Sequence, residues 1–448
     1  MESKRGREKR AHDGHSYVFD KFSADEKRKL WRCEQKDRCK ARMHTCVTSV
    51  ELVKIMNDHS HDSDPAKIAV KETIMHMKKR AAETVEGTAQ VINQALQNLP
   101  DCALGVLPTL PSMKKVVRRI RNEVNLAPAS PSSLLTLVIP PEYQTYHPDE
   151  DSAEPFLLAD SGPGEDRILI FGREKNCHNL RESDVWYIDG TFSVAPKLFA
   201  QVYVVLAEKY GGVHPFVYAC LPDKSELTYM RMFAMMKGIE PNIRPRMVNC
   251  DFELPAINAV QTSFPDADIG GCFFHLVSNM KKQIGRLGLS QRYKNDMNFA
   301  LRARMVTSQA FVPPDHVEDS IEILADTLPD DLKPLLDWFE DYYVGRPDRR
   351  GRRRPPRFPV QMWNVYERTL EGSSRTNNHA EAANRRLSEE LNVDHPTLWR
   401  FIEALRRVQK GGDAFYESQV AGHPPTEKLK KYRDADERII EKLNDSGA

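Results

Sequence analysis

Apolar and polar residues alternate through residues 15–61, in His15-Ser16-Tyr17-Val18-Phe19, Leu30-Trp31-Arg32-Cys33, Cys46-Val47-Thr48 and Val50-Glu51-Leu52-Val53. A period of two belongs to a strand with one buried face, so the stretch predicts a small module of short antiparallel strands. Good helix formers dominate residues 66–99, and Ser112 stands where it would cap a second, very basic helix carrying Lys114, Lys115, Arg118, Arg119 and Arg121. Residues 128–183 mix Pro, Ser and acids, with 134–139 as their one strand candidate, and read as a linker and domain edge.

Beyond that the pattern is denser. Residues 184–194, 199–207 and 214–221 predict three strands in meander order, separated by Ala195-Pro196-Lys197 and Gly211-Gly212. A helix (225–238), a strand (246–250), a helix (253–264), a strand (267–273) and a further helix follow in alternation, which implies parallel strands with crossover helices. Residues 290–345 read as helices only, an Arg/Pro loop at 345–359 interrupts them, and final helices begin at Asn378. The expected fold class is α+β and multidomain. It comprises a β module at 1–65, a basic helical connector at 66–127, the linker at 128–183, an α/β core at 184–391 with a helical insertion at about 290–375, and C-terminal helices at 392–448.

The composition fits folded domains: of 448 residues, 40% are hydrophobic and 29% charged, which argues against wholesale disorder and fibrous repeats. No apolar run approaches the roughly 18 residues of a membrane span. Met1–Arg10 precede no apolar stretch, so the eight cysteines are expected in a reducing compartment, where core or metal roles outweigh disulfides. The net charge of +1 hides segregation. Residues 1–46 hold 14 lysines and arginines against 8 acids, and 346–357 hold seven arginines against Asp348 alone, whereas 142–184 carry 11 acids against 4 bases and 315–341 carry 10 against 1. Either basic block is a footprint for phosphates or a solvated run.

Two constellations carry chemistry. Cys33 and Cys39, followed by His59-Ser60-His61, supply two thiolates and two imidazoles in one short module, the ligand set of a closed tetrahedral zinc site. His-x-His puts both rings on one side of an extended segment. The module has few large apolar residues, so metal binding would supply much of its folding free energy. His44 and Cys46 are competing ligands. Two core cysteines beside two exposed histidines is the plain alternative.

The second constellation is Asp189, Asp251 and Glu381. Asp189 interrupts the apolar strand Trp186-Tyr187-Ile188, where a carboxylate requires a partner. Asp251 ends a strand and opens toward a helix, where open α/β sheets place ligands. Glu381 follows Asn377-Asn378-His379. Converging carboxylates suit magnesium or manganese, and paired ions support phosphoryl transfer. Glu253 and Glu226 are alternative acids, Glu253 also being placed to cap its helix.

The segment from His15 to His61 resembles a FLYWCH-type zinc finger in its Tyr17–Phe19 strand, Trp31-Arg32-Cys33, Cys39-Lys40-Ala41-Arg42 with Thr45, and His59-Ser60-His61. Its opening strand departs from the pattern that names the family. Asp189-Gly190-Thr191-Phe192, Asp251-Phe252-Glu253 with Ala256, Cys272-Phe273-Phe274-His275, and Thr376-Asn377-Asn378-His379-Ala380-Glu381 with Asn384 and Leu387 resemble the MULE (Mutator-like element) transposase domain. That resemblance implies a ribonuclease H-like core and a DDE-type mechanism, with Asp189, Asp251 and Glu381 matching the metal-holding acids. Cys272 and His275 match a family Cys/His pair, as metal ligands or as a packed thiol beside a hydrogen-bonded histidine. The Cys-rich module that ends many family members has no counterpart, since no cysteine follows Cys272.

The expectation is therefore a nuclear, transposon-derived DNA-binding recombinase with structural zinc and catalytic magnesium or manganese, which would assemble as an oligomer to bring two DNA ends together. The alternative is a domesticated DNA-binding regulator without catalysis. A ribonuclease acting on RNA has no feature of its own in support.

Overall fold

The computed structural model describes residues 8–84, 86–97, 99–124, 128, 131–425 and 430–446, and the chain divides into two compact units, 1–128 and 129–448. Residues 1–7 of the basic opening run lie outside the described residues.

The first unit begins with five strands, β1 (Lys9–His12), β2 (His15–Phe22), β3 (Arg28–Cys33), β4 (Arg42–Cys46) and β5 (Leu52–Met56), paired in sequence order as an antiparallel sheet. Register sets one face. Tyr17 lies opposite Cys33, Phe19 opposite Trp31, and Trp31 opposite Met43. Tyr17, Trp31 and Met43 are buried, and the Trp31 indole donates to Thr45 Oγ1 at 2.9 Å.

Four helices follow: α1 (Pro65–Glu83), α2 (Thr88–Leu96), α3 (Asp101–Leu104) and α4 (Leu110–Val124). The single helix expected over 66–99 is broken, because Thr84 turns extended (φ −128°, ψ 153°) and Gly87 starts α2. Ser112 does not cap α4, which begins two residues earlier, and its hydroxyl lies 3.0 Å from that of Thr109. Met77, Ala81, Val91, Ile92, Ala95, Met113 and Val117 give the helices a core of their own. Arg121 belongs to that packing and not to an exposed basic face. Its guanidinium donates to the carbonyls of Ala81 (3.4 Å), Thr84 (3.3 Å) and Glu86, satisfying groups at the end of α1. Lys114, Lys115 and Arg118 remain exposed.

The second unit is built on a mixed seven-stranded sheet. Ahead of it, β6 (Thr145–Tyr146) pairs with β7 (Glu154–Pro155). The sheet strands are β8 (Leu157–Asp160), β9 (Leu169–Gly172), β10 (Val185–Thr191), β11 (Gln201–Lys209), β12 (Gly212–Leu221), β13 (Met247–Cys250) and β14 (Asp268–Gly271). Their order is β14-β13-β10-β11-β12-β9-β8. β13 lies parallel to both β10 and β14, and the remaining pairs are antiparallel. Strands at the centre are buried on both faces, so β11 is apolar almost throughout and shows little alternation.

One face packs against α6 (Glu226–Ile239), α7 (Leu254–Ser263), α8 (Phe273–Arg286) and the helices α9 (Ser290–Asn295), α10 (Met297–Ser308), α11 (Val317–Thr327) and α12 (Lys333–Phe339). After the short α13 (Val360–Trp363) and α14 (Tyr366–Leu370), α15 (Asn378–Leu391) and α16 (Leu398–Val420) cover the other face, and α17 (Lys430–Ser446) follows.

The segment 128–183 is more than a linker. It supplies β8, β9 and the following helix α5 (Glu174–Arg181) to this unit, and residues 134–139 form a turn and irregular backbone instead of a strand. Their anchor is Arg167. It is 5% exposed, grips Asp160 through two contacts of 2.8 and 2.5 Å, and donates to the carbonyls of Leu134 (3.1 Å) and Leu137 (2.6 Å).

The arginine loop at 345–359 also differs from a wholly exposed insertion. Arg353 turns inward to Glu340 (3.0 Å) and Glu318 (3.1 Å), Arg346 bridges Asp337 (3.0 Å) and Asp341 (2.9 Å), and Phe358 is buried against Tyr343 and Phe252. The acidic run 315–341 holds the loop's base, leaving Arg349, Arg350, Arg352, Arg354 and Arg357 exposed.

Replacing Arg167 by Met strands the Asp160 carboxylate and two carbonyls. Denaturant unfolding of the Arg167→Met protein is expected to show a loss of about 1–3 kcal/mol, the cost of leaving the buried carbonyls unpaired, since Asp160 is exposed to solvent. Unchanged stability would refute the anchoring role.

Candidate functional site

In the first unit, Cys33 ends β3, Cys39 follows the turn beyond it, and His59 and His61 lie past β5. Their four ligand atoms lie within 4.8 Å of one another. Cys33 Sγ is 3.2 Å from His61 Nε2, Cys39 Sγ is 3.4 Å from His59 Nδ1, and the two nitrogens are 3.3 Å apart. A tetrahedral zinc with ligands at about 2.0–2.3 Å has edges of about 3.3–3.8 Å. The spacings fit that ion. The remaining ring nitrogens have the partners that orient ligating histidines, Tyr17 Oη 2.7 Å from His59 Nε2 and the Asp62 carbonyl 3.0 Å from His61 Nδ1.

His15 stacks on His59 at 3.5 Å with rings 2° from parallel. Ligand spacing alone marks neither His15 nor Tyr17 as a support of the site. Their signal was parity, since positions 15 and 17 share a strand face with one another. Burial raises both thiols. For Cys39 the backbone N–H groups of Ala41 and Ser60 outweigh it and bring the thiol down to about 7. His44 and Cys46 sit on β4 outside the cluster, Cys46 Sγ lying against the Thr48 hydroxyl.

In the second unit the sheet's register builds the other site. β10 and β13 pair as Val185↔Met247, Trp186↔Val248 and Tyr187↔Asn249. Continued by two residues, the register sets Asp189 opposite Asp251 at the strands' C-terminal ends. β13 and β14 pair Cys250 with Gly271, so one residue further sets Asp251 opposite Cys272. Glu381 stands in the first turn of α15.

Three hydrogen bonds dock that helix. Asn377 donates its side-chain amide to the Ile188 carbonyl (2.9 Å) and its backbone N–H to Cys272 Sγ (3.2 Å), while Asn384 donates to Asp189 Oδ2 (2.7 Å). Burial pushes the Asp189 carboxyl up to about 7, with the Asp251 and Glu381 charges adding to the shift and His275 and the Gly190 N–H opposing it.

The structure brings Asp251 closest to the Cys/His pair. His275 Nδ1 lies 2.6 Å from Asp251 Oδ1, and Asp251, Cys272 and His275 place their ligand atoms within 4.8 Å of one another. Burial draws the His275 imidazole down, but Asp251 and Cys272 outweigh it and push it up to about 10. The three acids Asp189, Asp251 and Glu381 do not form so tight a group.

The alternative acids are engaged elsewhere. Glu253 stands at the N-cap of α7 without a capping bond, because its carboxylate accepts from the Tyr229 hydroxyl (2.9 Å). Glu226 accepts from Asn258 at 2.8 Å. Glu381 also lines a groove with Phe273, Phe274, Thr376, Arg385 and Ile440. Among the described residues, no helix is long and apolar enough to cross a membrane.

Comparison with known proteins agrees with both resemblances. Residues 1–61 match the FLYWCH zinc finger domain, and residues 185–279 match the MULE transposase domain, a match that ends before α15 and Glu381. Curated relatives from Caenorhabditis elegans include FLYWCH transcription factor 1, 39% identical over 51 residues (11% of this chain, 10% of the relative), and FLYWCH transcription factor 2, 39% identical over 67 residues (15% and 14%). FLYWCH transcription factor 3 is 42% identical over 55 residues (12% and 13%). The chain thus spans 10–14% of the length of these relatives.

Two outcomes are expected. Cys33→Ser should release one zinc equivalent, read by atomic absorption, and unfold the β module; retained zinc would refute the ligand set. Because the Asp189 carboxyl binds its proton more tightly folded than unfolded, metal-free stability should fall as pH rises from about 4 to about 7, by on the order of 1–3 kcal/mol. Asp189→Asn should flatten that slope in denaturant titrations, and an unaltered slope would count against Asp189 as its source.

Proposed function

We propose that the chain is a DNA-binding recombinase of DDE type, acting in the nucleus. Its zinc-stabilised β module binds DNA, and Asp189, Asp251 and Glu381 hold magnesium or manganese. The observation that carries this reading is the register that sets Asp189 opposite Asp251 at the C-terminal ends of parallel β10 and β13, with Glu381 in the first turn of the helix docked there. Burial and these acids push the Asp189 carboxyl up to about 7. Such an excess of negative charge suits divalent cations. Three antiparallel strands, β12-β11-β10, continued by parallel β13 and β14, support reading the core as ribonuclease H-like. When bound, the ions would activate a water and stabilise the leaving oxygen of a phosphodiester.

The chain's own residues prepare that edge. Asn384 fixes the Asp189 carboxylate, Asn377 ties the start of α15 to β10, and His275 holds Asp251. Joining two DNA ends would bring two copies together, which supports an oligomer on DNA. Lys114, Lys115 and Arg118 in the first unit and the five exposed arginines of the 345–359 loop in the second supply the cationic surface for phosphates.

A second reading has its own support. The curated relatives named as transcription factors match stretches of 51–67 residues, about the length of the zinc module, and His275 counters the Asp251 charge without any metal. On that reading the chain is a DNA-binding regulator that retains the core without catalysis.

Cleavage of DNA by the full chain should require magnesium or manganese. Asp189→Asn, Asp251→Asn and Glu381→Gln should each lower its rate at least ~100-fold while leaving DNA affinity unchanged. DNA affinity should fall steeply with added salt. No cleavage by the parent in either metal would favour the regulator. Cleavage surviving in Glu381→Gln would move the third ligand elsewhere.

A further inference from the structure

We propose that Asp251, Cys272 and His275 form a second metal site, selective for a thiophilic divalent cation such as zinc and distinct from the magnesium position. The site stands without the catalytic reading; only the competition of the two cations for Asp251 rests on that reading.

Its geometry comes from the sheet. Asp251 and Cys272 leave the ends of the neighbouring parallel strands β13 and β14, and His275 turns back from the first turn of α8. The three ligand atoms already lie within 4.8 Å of one another. His275 Nδ1 and Asp251 Oδ1 are 2.6 Å apart, and zinc held by both would set them about 3.3 Å apart. The opening needed is smaller than 1 Å.

The donors choose the metal. One thiolate, one imidazole and one carboxylate suit zinc or cobalt, whereas magnesium demands oxygen ligands. Three protein ligands leave a fourth position for water or another ligand, unlike the four-ligand set in the first unit.

The surroundings are arranged for a thiolate. Cys272 is 2% exposed, yet its sulfur accepts the Asn377 backbone N–H at 3.2 Å. The half-buried Arg368 guanidinium interacts electrostatically with the same sulfur. It is held in place by the Asn249 side chain and the Gly271 carbonyl, both at 3.3 Å. A hydrogen-bond donor and a fixed positive charge on a buried sulfur are what a metal-bound thiolate requires. His275 and Asp251 keep side-chain exposures of 25% and 31%, which gives a cation a way in. Zinc bound here would take Asp251 from magnesium, so the cysteine and histidine would make the acidic site sensitive to zinc.

The test is a cobalt(II) titration of the full chain after chelator treatment, reading thiolate-to-cobalt absorption and the number of equivalents bound. The parent should take up two. Cys272→Ser and His275→Gln should each lose one equivalent, with the circular dichroism of the folded parent retained, and Cys33→Ser should lose the other. A parent that binds one equivalent, or a folded Cys272→Ser that still binds two, would overturn the site. A parent that binds two yet cuts no DNA in magnesium supports the site and removes the catalytic reading. One that cuts DNA and binds one equivalent does the reverse.

Discussion

Carboxylates crowded at the ends of neighbouring parallel strands repel one another, and the second unit is organised around that repulsion. β10 and β13 are parallel and in register, so Asp189 and Asp251 come side by side, and α15 adds Glu381 from across the sheet edge. Apolar packing alone would not hold such a group together. The helix start is fixed to β10 through Asn377, Asp189 is fixed by Asn384, and the Asp251 charge is met by His275. The Asp189 carboxyl is raised first by its burial and then by the neighbouring Asp251 and Glu381 charges, and a cation would relieve both.

The first unit faces the opposite shortage. Among the described residues its main apolar cluster is Tyr17, Trp31 and Met43 with Phe19 packed against it, a small core for independent stability. A metal held by the two cysteines and two histidines would supply the missing free energy, and Tyr17 and the Asp62 carbonyl already orient the two rings. On the proposed reading, a metal in the first unit would answer a deficit of apolar contact and one in the second an excess of negative charge.

Much of this was legible in the sequence where local pattern and tertiary role coincide. The period-two alternation of residues 15–56 and the apolar runs of β10 to β12 mark strands, because one or both faces are buried. Cys33, Cys39, His59 and His61 stand out as a ligand set from residue type and spacing alone. Other features depend on partners far along the chain. β9 is four apolar residues inside an acidic, Gly-rich stretch, and its place is set by pairing with β12 and by Arg167 reaching Asp160. The inward turn of Arg353 depends on Glu318 and Glu340, which resemble any other surface acids when read in sequence. The proximity of Asp251 to Cys272 and His275 follows from the register of β13 with β14, which no motif spacing encodes.

The central claim is that the edge formed by Asp189, Asp251 and Glu381 binds divalent cations. Anomalous scattering from crystals of the full chain grown in manganese tests it most directly. The account predicts manganese density between Asp189 and Asp251 with Glu381 turned toward it. Crystals with ordered side chains and no anomalous density at that edge would contradict it.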